Sequence, residues 1–135
     1  MPKTLRAKAL ERLQLLRRLE HSDDNGYCAC VSCGKQDHYK NMDGGHFIPK
    51  GDSSYWALEH ENVHPQCKGC NGFGMRYGTA SQQYTIFMQD MYGEDFVKHM
   101  LKTKKKTKKI YTPDYREMIK DLDDQIRRQK KRLGV

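Results

Sequence analysis

The stretch CACVSCGKQDHYKNMDGGHFIPKGDSSYWALEHENVHPQCKGCN, residues 28–71, holds all five cysteines of a 135-residue chain. Cys30 and Cys33 stand at C-x2-C spacing, and Cys67 and Cys70 repeat it after 33 intervening residues. Two such hooks can wrap one tetrahedral metal, with thiolates at ~2.3 Å from zinc. Soft sulfur donors suit zinc or an iron–sulfur centre, and zinc is the better match for a small basic protein. Cys28 is left over; it could replace Cys30 with a wider bite, but the x2 pair is preferred. An odd, tightly clustered cysteine count argues against a secreted disulfide framework and for ligation in a reducing compartment.

Composition narrows the partners. Charged residues make up 31% of the chain, apolar residues only 36%, and the net charge is +8. A small core of this kind often needs a metal staple. The basic balance favours a polyanion, nucleic acid first, although an anionic membrane surface fits the number equally well. No apolar run approaches the ~18 residues that span a bilayer, and no secretory apolar segment follows Met1. A soluble, cytoplasmic protein is expected.

Outside the cysteine region the pattern is helical. Residues 4–20 place Leu5, Ala9, Leu13, Leu16 and Glu20 on one side, widened by Leu10, Leu15 and Leu19. Arg6, Lys8, Arg12, Arg17 and Arg18 are expected elsewhere around the helix. Residues 79–93 predict a second helix with Ser81 as N-cap, an apolar face of Tyr84, Phe87, Met88 and Met91, and a stop at Gly93. A short helix follows, with Phe96, Val97, Met100 and Leu101 inward. In residues 102–109 six of eight positions are lysine, which predicts an exposed, mobile segment able to contact phosphates through Lys104, Lys105 and Lys106. The last helix begins near Pro113. Its seam is Met118, Ile119, Leu122, Ile126 and Leu133, with Asp123–Arg127 and Asp124–Arg128 as i,i+4 pairs.

Between the hooks lie DGGHFIP (43–49) and EHENVHPQC (59–67), and Asn71 directly follows Cys70. His46, Asn62 and Asn71 form the series H…N…N. With the hooks and YGEDF (92–96), this order resembles the HNH, or His-Me finger, endonucleases. More narrowly it is similar to the NinG/Rap recombination proteins of lambdoid phages, over roughly residues 25–101.

The resemblance implies an α+β fold: a small zinc-braced ββα-metal core flanked by N- and C-terminal helices. The implied parts are a basic helix (1–24), the nuclease domain (25–101), and a lysine-rich linker with a terminal helix (102–135). It implies that His46 is the general base, that Asn62 ties the loop, and that Asn71 binds the catalytic Mg2+ or Mn2+. The usual acid before the histidine is here Gly45. Asp43 could replace it as a ligand if the strand bulges at Gly44–Gly45, and His64 is a second candidate. Lys50, Lys68 and Arg76 stand near enough in sequence to hold phosphates.

The chemistry is consistent with this reading. Phosphodiester hydrolysis needs an activated water, charge stabilisation and rigid placement, and a neutral imidazole can take a proton near neutral pH. The implied substrate is branched DNA, such as Holliday junctions and D-loops, cut by a homodimer joined through its terminal helices. Host or phage recombination proteins are possible partners. The competing expectations are a non-catalytic zinc module that binds nucleic acid and a nuclease of linear duplex.

Overall fold

A computed structural model describes residues 2–135. Among the described residues the architecture is α+β: two small antiparallel sheets and five α-helices, with short 3-10 and π-helical turns between them.

Helix α1 (Leu5–Glu20) starts where the Thr4 hydroxyl accepts the Ala7 N–H at 3.1 Å. Its apolar stripe buries Ala9, Leu10, Leu13, Leu16 and Leu19. Strands β1 (Tyr27–Ala29) and β2 (Gln36–His38) form a hairpin around the first hook. The tip closes through Cys30 N–H to Lys35 O at 2.8 Å and Gly34 N–H to Cys30 O at 2.9 Å. Gly34 takes φ +80°, a conformation side-chain-bearing residues rarely adopt.

Strands β3 (Asp43–His46) and β4 (Val63–Gln66) form the central hairpin, pairing Asp43 with Gln66, Gly44 with Pro65, Gly45 with His64 and His46 with Val63. The register is continuous, so the strand does not bulge at Gly44–Gly45, the condition set for Asp43 as a cation ligand. The two glycines serve close packing instead. A Cβ on Gly44 would stand 2.7 Å from the Gln14 backbone of α1, and one on Gly45 would stand 1.7 Å from Gln66 Oε1. The acid that the resemblance expects at position 45 has no room there.

After Cys70 the chain makes a π-helical turn (Cys70–Gly74) and a single helical turn, α2 (Met75–Tyr77). Helix α3 (Ala80–Tyr92) has Thr79 rather than Ser81 at its N-cap position and ends at Gly93, φ +90°. Helix α4 (Glu94–Lys102) and helix α5 (Thr112–Leu133) complete the chain.

The apolar residues gather in two clusters. One joins Leu13, Leu16 and Leu19 of α1 with Leu122 and Ile126 of α5, and continues into Cys28, Cys30 and Val63. The other joins Phe47, Ile48 and Trp56 with Tyr84, Met88, Val97 and Met100. Each fully buried large side chain contributes about 1.5–3 kcal/mol.

Several expectations change. Helix α1 packs on both α5 and the central hairpin, and α5 buries Leu122 and Ile126 of its seam, with Met118, Ile119 and Leu133 half-buried, so much of that seam is covered within one chain. Met91 and Leu101 are exposed, because the buried faces of α3 and α4 are narrower than the apolar pattern. Asp123 pairs with Arg12 of α1 at 3.1 Å, and Asp124 with Arg127, in place of the two i,i+4 pairs. The lysine run is anchored at several points: the Thr103 hydroxyl accepts Trp56 Nε1–H at 3.1 Å, the Lys106 carbonyl accepts the Ser53 hydroxyl at 2.6 Å, Lys108 N–H donates to Ser54 Oγ at 2.9 Å, and the Lys106 ammonium sits 3.9 Å from the centre of the Tyr55 ring. Lys104 and Lys105 are exposed. Arg17, expected on the polar side of α1, is buried. No helix among the described residues is long and apolar enough to cross a membrane.

A four-cysteine metal site and a basic cleft

The sulfurs of Cys30, Cys33, Cys67 and Cys70 all lie within 4.8 Å of one another. Cys33 Sγ and Cys67 Sγ are 3.7 Å apart, against about 3.8 Å for the edge of a tetrahedron with 2.3 Å zinc–sulfur bonds. The four donors therefore fit one tetrahedral, sulfur-loving ion. Two backbone features hold the second hook: Cys70 N–H points at Cys67 Sγ at 3.5 Å, and Asn71 N–H donates to Cys67 O at 2.9 Å. Val31 N–H donates to Pro65 O at 3.0 Å, linking the first hook to β4. Cys28 stands outside the cluster, in the first apolar core, where burial pushes its thiol up.

The ligands brace the central hairpin beside them. Asn62 is fully buried and every bond its side chain makes is to backbone: Oδ1 accepts Ile48 N–H at 2.7 Å, and Nδ2 donates to Ile48 O at 2.9 Å and Trp56 O at 3.0 Å. These bonds close the 47–62 loop over β3. The loop in turn supplies the Ala57 carbonyl, 2.8 Å from His46 Nε2. A carbonyl can only accept, so Nε2 carries the proton and Nδ1 keeps a lone pair. Burial pushes the His46 imidazole down to about 4; the Ala57 carbonyl opposes this, and the charges of Lys50 and Arg6 add to it. The ring is neutral at pH 7.

Asp43, at the start of the same strand, accepts Lys68 Nζ at 2.8 Å and Asn71 Nδ2 at 3.1 Å. Burial works against its ionisation, but hydrogen bonds from Lys68 and Asn71, with the charges of Lys68 and Arg18, hold its carboxyl below the usual range. Asn71 is the hinge of the site. It lines one cavity of about 380 Å³ with His46, and an adjoining cavity of about 340 Å³ with Asp43. Gln14, Gly44 and Lys50 also border both. Arg18, Lys40, Lys50, Lys68 and Arg76 ring the combined cleft with positive charge.

His64 is a correction. Although it lies two residues beyond Asn62, it is fully buried and lines neither of the two cleft cavities that Asn71 borders. Its Nδ1 is 3.0 Å from Tyr84 Oη and its Nε2 is 2.8 Å from Tyr92 Oη. The Tyr84 hydroxyl donates to Gly45 O at 2.8 Å, so its oxygen accepts from His64 Nδ1–H. Tyr92 then donates to Nε2, and its own oxygen accepts Arg17 Nη2 at 3.3 Å. No lone pair is left for a cation. Burial, with Arg17, His21 and His60 adding charge, pushes the ring down to about 2.

Lys50, Lys68 and Arg76 therefore reach the cleft, whereas Lys104, Lys105 and Lys106 do not line it. Gln14, Arg18 and Lys40 line it unforeseen. The basic stripe of α1 was the available signal for Arg18, but only the docking of α1 across Gly44 directs it. Arg17 donates from Nε to Val63 O at 2.9 Å, bonding the residue paired with His46.

Comparison with the curated proteins and with the solved structures gives no match. A comparison with protein families matches residues 11–132 to the family described as Bacteriophage Lambda NinG protein, extending beyond the motif region into both terminal helices. The chain belongs to this NinG family.

Proposed function

We propose that this protein binds nucleic acid through the basic cleft, on a scaffold braced by a four-cysteine zinc site, and that the cleft hydrolyses phosphodiester bonds in DNA. The binding part rests on the ring of five cationic side chains around the cleft and on the net charge of +8. The cleavage part rests on one observation: His46 is held through Nε2 by the Ala57 carbonyl, which leaves Nδ1 without a partner on a residue that lines a cavity with Asn71.

In this reading Nδ1 takes a proton from the attacking water. General bases work best with a pKa near the operating pH. A scissile phosphate brings negative charge that opposes Lys50 and Arg6 and raises the His46 pKa from about 4. The Asp43 carboxylate and the Asn71 side-chain oxygen would hold Mg2+ or Mn2+. They are hard donors, and two protein ligands suit an ion that keeps most of its water. Such an ion supplies charge stabilisation at the phosphate. Lys68 neutralises Asp43 in its place and is exposed enough to swing toward phosphate.

As the resemblance of the motifs implies, the substrate we propose is branched recombination intermediates, Holliday junctions and D-loops, met in the host-cell cytoplasm alongside host or phage recombination proteins. Symmetric cutting calls for a homodimer, and an interface away from the covered α5 seam.

A second reading is a non-catalytic zinc module that binds nucleic acid. The Lys68–Asp43 ion pair favours it, because it already satisfies the candidate cation ligand. Incubating junction and linear duplex DNA with the protein and Mg2+ or Mn2+ separates the readings. Junction cleavage lost in His46→Ala, with zinc content and DNA binding retained, supports the nuclease. Binding without cleavage under either ion leaves the module. Preferential cleavage of linear duplex overturns the branched substrate.

A further inference from the structure

The turn between the metal site and α3 carries two aromatic rings that no core uses. Phe73 is 73% exposed and Tyr77 69% exposed. They lie side by side, centroids 5.0 Å apart and planes tilted by 47°, and neither belongs to the two apolar clusters. A chain this polar gains nothing in stability by leaving two large rings in water. An exposed aromatic pair of this kind marks a contact surface.

Its mounting is rigid. One end of the turn is Cys70, a ligand of the metal site, followed by Asn71 of the cleft. The other end is packed against α3, where a Cβ on Gly74 would stand 3.1 Å from both Ala80 Cβ and Gly69 O. The intervening residues take π-helical geometry, which is frequent at functional positions. The two rings line a groove of about 660 Å³ that opens beside the cleft and shares Pro49, Asn71, Met75 and Arg76 with it.

We infer that Phe73 and Tyr77 form a stacking platform for an unpaired nucleobase next to the phosphate held in the cleft. The occupant follows from chemistry on both sides of Asn71. The cleft offers cations for a phosphate chain, and the adjoining groove offers aromatic faces with one guanidinium, Arg76, between them. A nucleotide has an anionic backbone and a π-face joined at this short spacing. Stacking on aromatic side chains is tolerant of base identity because every base has a π-face. In an intact duplex both faces of a base are covered by its neighbours. The platform therefore selects DNA with a base freed from the stack: a branch point, a bulge or a flap. This rests on the nucleic-acid reading above and adds a physical basis for choosing branched over continuous duplex DNA.

The test compares binding to a four-way junction carrying 2-aminopurine at the branch with binding to a duplex of the same sequence, without added Mg2+. The wild type is expected to bind the junction about tenfold or more tighter than the duplex and to quench the branch fluorophore. F73A/Y77A should lose the quenching and bind the junction about ten- to a hundredfold more weakly, from ~1–3 kcal/mol per stacked base. Its duplex affinity, circular dichroism and zinc content should stay unchanged. F73W/Y77W should keep both preference and quenching. Persistence of both in F73A/Y77A overturns the platform. So does a wild type that binds DNA with no branch preference and no quenching, which would leave the rings to an apolar protein partner. A wild type that binds neither DNA at low salt overturns the nucleic-acid reading itself.

Discussion

Two histidines lie on opposite strands of the central hairpin, and they have opposite fates. His46 on β3 spends one ring nitrogen on Ala57 and keeps the other. His64 on β4 spends both on tyrosine hydroxyls, in a chain that runs from Arg17 through Tyr92, His64 and Tyr84 to the carbonyl of Gly45. Burial holds both rings neutral. What separates them is a ring nitrogen without a partner on a residue that lines a cavity, and neither sequence motif nor depressed basicity identifies that alone. The His64 network is structural, because it clamps the residue next to His46.

Removing the metal should erase the contrast, because both histidines depend on a hairpin tied at Cys67 and Cys70. Cys67→Ser, or strong chelation, is expected to abolish cooperative thermal unfolding and zinc content together, since binding energy in such sites is folding energy. A chelated protein that melts unchanged would show that the apolar clusters hold the hairpin unaided.

His46→Ala should sharpen the contrast. A general base contributes about 10²–10⁴-fold, so cleavage should fall by at least a hundredfold while the urea midpoint stays close to wild type. The mirror experiment is His64→Ala. It strands two buried hydroxyls and should cost about 1–3 kcal/mol or more of stability, read as a lower urea midpoint. Residual cleavage at low temperature should exceed that of His46→Ala. If the two variants have the same profile, the division between reactive and structural histidine is wrong.

Acid offers a weaker probe of the structural side. His64 is pushed down to about 2, and His21, whose ring packs edge-on against it, to about 4, by burial in both cases. The unfolded chain takes up these protons near pH 6.5 and the folded chain does not. Stability should therefore be full above about pH 7 and fall steadily from 6.5 downward. Urea midpoints between pH 8 and 5 check this, and a rise toward pH 5 would contradict the buried neutral assignment. The smallest effect is expected far from both rings. Lys104→Ser with Lys105→Ser should leave cleavage chemistry untouched and, if both lysines meet phosphates, lower the log–log salt slope of DNA binding by roughly 2.

The legible parts of the sequence were those in which spacing is the mechanism. Two C-x2-C hooks can close on one ion only if the chain between them folds back, and that alone predicts a braced loop. Apolar periodicity located α1, α3, α4 and α5. The same reasoning failed at Arg17 and Met91, because periodicity assigns a face to a residue without saying what covers it. At the lysine run it located the exposed lysines but missed their anchoring, because those contacts come from Ser53 and Tyr55, some fifty residues away. For the cleft, the sequence nominated Asp43, His46, Asn62 and Asn71 together, and no local pattern pointed to Gln14 or Lys40.

By itself, then, the sequence determined a metal-tied α+β chain with a basic surface and a short set of polar candidates, because ligand spacing and side-chain periodicity are properties of neighbours along the chain. Only tertiary structure decided which candidates keep a free donor atom and line the cleft. It packed α1 across Gly44, excluded any side chain at position 45, joined Asp43 to Asn71, and gave His64 two partners and His46 one. Those outcomes depend on which groups from distant elements compete for the same lone pairs and the same space, and that competition is settled only when the elements meet.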